Sequence, residues 1–185
     1  MSAGYGGRML GAIASSRVRK YIGTDPASLT FDGLTEMAAE LPPMAEQLGG
    51  EPTEIKLHKI GSENFVPDGG SIQMAFTSPP YYNAEHYSSE ASQSYIKFKT
   101  REAWLDGFLG ATLSNTHVGL EPSGTLVVNI ANVNTYPNLA EYFLWLARRR
   151  GFRHVETLRL ALSAMPGTRV GSPYRFEPVY VFKKF

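Results

Sequence analysis

Apolar and polar positions recur along this chain with two periods, one helical and one extended. From about Arg8 to Arg19, Met9, Leu10, Ile13 and Val18 fall roughly on one face, which predicts a helix. Tyr21 to Gly23 follows as a short strand ending at Thr24-Asp25-Pro26. Thr30 to Leu48 predicts a second helix, broken at Pro42-Pro43 because proline lacks an amide donor and crowds the preceding turn. Thr53 to Ile60 predicts an edge-like strand, with Ile55 and Leu57 alternating with polar residues. Ser71 to Thr77 alternates Ile72, Met74 and Phe76 with Gln73, Ala75 and Thr77, a strand pattern. It stops at Ser78-Pro79-Pro80-Tyr81-Tyr82, since two prolines cannot continue a central ladder.

A polar loop then runs from Asn83 to Lys99 and contains His86, Tyr87 and Tyr95. Thr100 to Leu120 predicts one helix, and Asn138 to Arg150 another, stopped by Gly151. Trp104 and Phe108 on the first, and Tyr142, Phe143 and Trp145 on the second, sit at helical spacing and are expected in the core. Between these helices, Gly124 to Ile130 is almost continuously apolar, as in a strand covered on both faces. His154 to Leu162 and Tyr174 to Phe182 predict two last strands, joined by a loop holding Met165-Pro166-Gly167.

Strands alternating with helices imply an α/β fold with a mostly parallel sheet. The last two strands have no helix between them and should pair antiparallel at one edge. Without repeats or linkers, residues 1–185 read as a single domain. Parallel strands linked by helices place ligands at their carboxyl ends. Three candidate sites fall there: the turn Gly4-Tyr5-Gly6-Gly7, Asp25, and Ser78–Tyr82.

Composition narrows the chemistry. No cysteine is present, which excludes disulfides, thiolate metal sites and cysteine nucleophiles. His58, His86, His117 and His154 lack metal-ligand spacing, so no metal is expected. No apolar run approaches the roughly 18 residues of a membrane span, and MSAGYGGR lacks the plan of a signal peptide, so a cytoplasmic protein is expected. The formal net charge of +1 hides an asymmetry. Residues 61–125 hold three basic and seven acidic side chains, while residues 126–185 hold nine and three. One face should therefore tolerate an anion better than another. Lys97, Lys99 and Arg101 flank the polar loop and are candidate phosphate contacts. Arg148, Arg149, Arg150 and Arg153 fit a helix C-terminus as well as a phosphate grip.

A glycine turn opening a helix lets backbone approach a ligand closely, and an acid about 20 residues later can accept two ribose hydroxyls. Asp25 stands 21 positions after Gly4, though Thr24-Asp25-Pro26 also suits a helix N-cap. At Ser78-Pro79-Pro80-Tyr81, prolines leave carbonyls without competing amides. With the Ser78 hydroxyl they can accept hydrogen bonds from an exocyclic NH2 group, while Tyr81 offers a flat face to a base.

These segments (SAGYGGRMLGA, YIGTDP, FTSPPYYN, GTLVVNI and RFEPVYVFKK) together resemble the S-adenosylmethionine-dependent DNA amino-methyltransferases of the N4-cytosine or N6-adenine type, in particular phage-type DNA methylases. The resemblance implies a Rossmann-like class I methyltransferase fold. It places Gly4, Gly6 and Gly7 beneath the methionine part of the cofactor, Asp25 at the ribose, and Glu63 or Asn64 at the adenine. Ser78, Pro79, Pro80 and Tyr81 would hold a flipped DNA base, with Tyr82 and Asn83 lining its pocket. Serine at position 78 leans toward N4 of cytosine over N6 of adenine, and the absence of cysteine closes the cytosine-C5 route. The family's first strand is missing, because Met1-Ser2-Ala3 stands directly before the glycine turn, so a preceding segment or a partner subunit is expected to supply it. Base choice would fall to short loops such as 83–99 and 164–173. The rival readings are a non-catalytic remnant that binds DNA or a partner, and a methyltransferase acting on RNA or a protein amide.

Overall fold

A computed structural model describes residues 1–162 and 176–185. The expected strand 154–162 is described in full and matches β5 (Phe152–Ala161), whereas the expected strand 174–182 lies partly, and the loop 164–173 wholly, outside the described residues. The elements run in the order α1 (Gly7–Ala14), β1 (Lys20–Thr24), α2 (Ser28–Gln47), β2 (Glu54–His58), β3 (Ile72–Thr77), α3 (Ser94–Lys97), α4 (Arg101–Trp104), α5 (Ala111–Gly119), β4 (Leu120–Asn129), α6 (Leu139–Arg149), β5 (Phe152–Ala161) and β6 (Phe176–Lys184). This is a mixed α/β fold, as the alternation of periods implies.

The strands form two pieces rather than one continuous sheet. β1 and β2 pair in parallel, and β3, β4, β6 and β5 make a four-stranded piece in that spatial order. β3 and β4 are parallel, while β6 runs antiparallel to both β4 and β5. The antiparallel pairing of β5 with β6 is the edge arrangement that the sequence implies. No strand precedes α1 among the described residues, and β1 and β3 share no ladder. Residues Met1–Gly4 link the pieces: Ala3 N–H donates to Thr24 O (2.8 Å) and packs in the smaller core, while Met1 packs against the larger one.

Each piece has its own core. Met9 and Ile13 of α1 and Leu34 of α2 lie under β1–β2, and Trp104, Phe108, Phe143, Phe152 and Phe182 fill the larger core beneath the four-stranded piece. Burial at this scale is the principal stabilising term.

Two helices depart from expectation. α2 runs unbroken through Pro42 and Pro43. Leu34, Met37, Ala38, Leu41 and Ala45 keep one apolar stripe across the prolines, and the packing of that stripe outweighs the lost backbone bonds. The expected helix 100–120 is α4 and α5 joined by a π-helical turn, Leu105–Gly110. Gly107 lies against the Phe98 ring and Gly110 lies 2.8 Å (from an added Cβ) from the Arg150 guanidinium, so this turn is shaped by close approach. On α6, Phe143 is buried but Tyr142 and Trp145 are exposed, contrary to their expected place in the core.

Candidate functional site

The ends of β1, β2 and β3 meet at one cavity of about 720 Å³, within the range of ligand sites. Gly4, Tyr5 and Gly7 of the turn that opens α1, Asp25 after β1, Gly61–Glu63 after β2, and Ser78 and Pro80 after β3 all line it, whereas Gly6, expected beneath the cofactor, does not. Tyr87 and Ser92–Ser94 close it from the segment between β3 and α4. Two glycines are required by the backbone. Gly4 and Gly6 have φ of +59° and +86°, and a Cβ on Gly6 would lie 2.5 Å from Met37 Sδ. Gly7 faces open space, which leaves its backbone accessible from the cavity.

Asp25 ties this corner together. Its Oδ2 accepts from Gly4 N–H at 3.0 Å, and its Oδ1 accepts from Ala27 N–H at 3.2 Å. Asp25 thus braces the glycine turn and the residue before α2, whose N-cap is Ala27 rather than Asp25. Each carboxylate oxygen keeps one acceptor position beyond these bonds. Burial holds the carboxyl above the usual aspartate value, partly offset by the Gly4 and Ala27 N–H groups.

Arg8 was not singled out by the sequence, although a basic residue directly behind a glycine turn is a visible signal. Its guanidinium lines the cavity, donates to Ser2 O and stands 5.9 Å from the Phe76 ring centroid. Its Nε is buried without a partner, and no carboxylate reaches it within 4 Å among the described residues. A cation so placed can receive an anionic group of a ligand.

Glu63 also lines the cavity, on a one-turn 3-10 segment, Ser62–Asn64, while Asn64 is exposed. The Glu63 side chain is only 3% exposed and forms an ion pair with Lys97. Lys97, expected to grip phosphate, instead neutralises a buried carboxylate. Lys97→Met should therefore lower the unfolding free energy by about 2 kcal/mol, less than a fully buried pair because Lys97 is partly exposed. Urea denaturation reads this directly, and the Lys97→Met/Glu63→Leu double variant should recover most of the loss.

The serine–proline box turns sharply after β3. Ser78 Oγ donates to Asn129 Oδ1 at 3.4 Å, and Tyr82, at φ +54°, donates its N–H to Pro80 O. Backbone in this left-handed region is costly for a tyrosine and is held by its surroundings. The Tyr82 hydroxyl donates to Lys99 O (3.0 Å) and its ring meets Trp104 and Tyr136 edge-on. Tyr81 departs from expectation. It is 7% exposed within the larger core, with its hydroxyl 3.4 Å from Asn129 O and from Glu177 Oε2. Burial and the Glu177 carboxylate push its phenol pKa up. In this conformation it presents no open stacking face. Asn129, at the end of β4, donates Nδ2 to Pro178 O and joins Ser78, Tyr81 and β6. The almost continuously apolar run Gly124–Ile130 hid it, since an asparagine near its end reads as a strand end.

The remaining expected contacts are dispersed. Pro79, Tyr81, Tyr82, Asn83, Lys97, Lys99 and Arg101 do not line the main cavity. Asn83, Lys99 and Arg101 are exposed, and Arg101 stands 5.4 Å over the Tyr136 ring. Among the described residues no cluster of three or more potential metal ligands occurs, and no helix is long and apolar enough to cross a membrane.

The fold has clear relatives among solved structures. An S-adenosylmethionine-dependent methyltransferase from Methanosarcina mazei superposes with a TM-score of 0.62 at 11% identity, over 99% of this chain and 89% of that one. A TehB-like S-adenosylmethionine-dependent methyltransferase from Corynebacterium glutamicum gives 0.56 at 14%, over 100% and 77%. The cyclase SpnF gives 0.56 at 14%, over 86% of this chain and only 53% of its own length. The chain therefore has the Rossmann-like methyltransferase fold, and fold by itself does not select a reaction. No protein-family profile matches the sequence, and no curated protein matches it.

Proposed function

We propose that this chain binds S-adenosylmethionine in the 720 Å³ cavity and methylates an exocyclic amine of a DNA base. The observation that carries the reading is the convergence of Gly4 and Gly7 of the glycine turn, Asp25, Ser78 and Pro80 on that one cavity. The residues fit such a cofactor. Asp25 keeps acceptor positions for two ribose hydroxyls, Arg8 offers an unpaired cation to the carboxylate, and Glu63 faces the adenine end.

When bound, the cofactor supplies a methyl group made electrophilic by its sulfonium. The chain's own residues have then to align the acceptor amine. The Ser78 hydroxyl, on the cavity wall, accepts one of its N–H groups, which favours a pyramidal, nucleophilic nitrogen and strengthens as positive charge develops. Asn129 orients Ser78 through Oδ1. A duplex base must first leave its stack, at a cost of a few kcal/mol. The buried Tyr81 has to uncover a ring face as the base enters if it is to stack on it. Ser78 favours N4 of cytosine over N6 of adenine.

Ionised Asp25 is the stronger acceptor for ribose hydroxyls, so ligand binding lowers its pKa. Affinity should therefore rise with pH, level off above the raised pKa of the free protein, and fall as pH drops through it. Calorimetric titration of S-adenosylmethionine from about pH 4 to 8 checks this sign, and Asp25→Asn should flatten the profile. A profile unchanged in Asp25→Asn would remove Asp25 from the ribose.

A further inference from the structure

α6 carries an aromatic face that nothing in the described fold covers. Tyr142 is 47% and Trp145 55% exposed, on the solvent side of a helix whose other side packs in the core. Each lies within an aromatic–guanidinium arrangement. The Arg149 guanidinium stands 5.0 Å over the Trp145 ring, and Tyr142 packs 5.8 Å from Tyr136, over which Arg101 stands at 5.4 Å. The exposed rings are joined to the serine–proline box by packing alone, because Tyr136, only 5% exposed, meets Tyr82 edge-on at 6.1 Å.

We propose that this array is a track for a single strand of nucleic acid leading to the box, an inference that rests on the functional reading above. Exposed aromatic rings stack on bases of any sequence, and arginines beside them add cation–π contact and phosphate attraction. Charge agrees with that occupant. Arg101, Arg148 and Arg149 are exposed and form no ion pair among the described residues, and Glu141 on the same helix accepts from Asn132. Glu102 is the other carboxylate near Tyr136. Residues 126–185 as a whole carry nine basic and three acidic side chains.

The chain has two tryptophans, and Trp104 is fully buried, so quenching of fluorescence by a bound strand reports on Trp145. Titration of the full chain with an oligothymidylate of about 12 nucleotides should quench that signal. By anisotropy of a dye-labelled strand, which does not depend on Trp145 emission, Trp145→Ala should bind it roughly tenfold more weakly, and Arg149→Gln should reduce the salt slope by about one. Equal affinity in Trp145→Ala, with unquenched fluorescence in the unmodified chain, would overturn the track. So would a Trp145→Ala effect confined to sedimentation behaviour, which would assign the face to a second copy. S-adenosylmethionine binding in the same samples separates the failures. If the unmodified chain binds cofactor but no oligonucleotide, the nucleic-acid reading itself fails. If it binds both and Trp145→Ala binds equally, only the track fails.

Discussion

Replacing Asp25 with alanine should weaken S-adenosylmethionine binding well beyond tenfold. Two contributions add. The variant loses a charged acceptor for the ribose, and hydrogen bonds to charged groups contribute about 1.5–3 kcal/mol each. It also frees Gly4 N–H and Ala27 N–H, which Asp25 now holds at 3.0 and 3.2 Å. The glycine turn then loses its brace just where it must approach the ligand. Calorimetry measures the affinity, and thermal unfolding of the free protein separates the contributions. A stability loss with unchanged affinity would make Asp25 a brace alone.

Tyr81→Ala should abolish methyl transfer and lower stability by about 3–5 kcal/mol, as for other buried aromatic truncations. The ring belongs to the larger core, and its removal leaves Asn129 and Glu177 without the phenol that now lies 3.4 Å from each. That is a large share of the roughly 5–15 kcal/mol of a typical domain. Tyr81→Phe keeps the ring and distinguishes the roles. If stacking is the function, Tyr81→Phe retains transfer while Tyr81→Ala loses it in samples still folded at low temperature. Transfer surviving in folded Tyr81→Ala would remove this residue from the base pocket.

Much of this arrangement was legible in the sequence, for local physical reasons. The alternation from Ile72 to Thr77 and the prolines behind it locate β3 and its end without any tertiary information. The 21-residue separation of Gly4 and Asp25 suits a nucleoside ligand, and the structure adds a direct hydrogen bond between the two that no spacing foretells. Fold class followed from the order of the elements. What was not legible depends on neighbours distant in the chain. Pro42 and Pro43 signal a break, but the stripe from Leu34 to Ala45 packs on both sides of them. Lys97 carries a charge that suits phosphate, and only the fold brings buried Glu63 beside it. Trp145 has the spacing of a core residue, and which side of α6 faces the sheet is settled by Phe143, Leu146 and Ala147. Tyr81 reads as an open ring until Asn129 and Glu177 are brought against it. The division of the strands into two pieces likewise depends on pairing, which no local pattern encodes.

The most direct test is to incubate the chain with methyl-labelled S-adenosylmethionine and an oligonucleotide of mixed sequence, digest to nucleosides and identify the labelled product. N4-methylcytosine or N6-methyladenine, absent when Asp25→Ala replaces the unmodified chain, is the predicted result. A chain that binds the cofactor yet labels no nucleoside would contradict the proposed reaction.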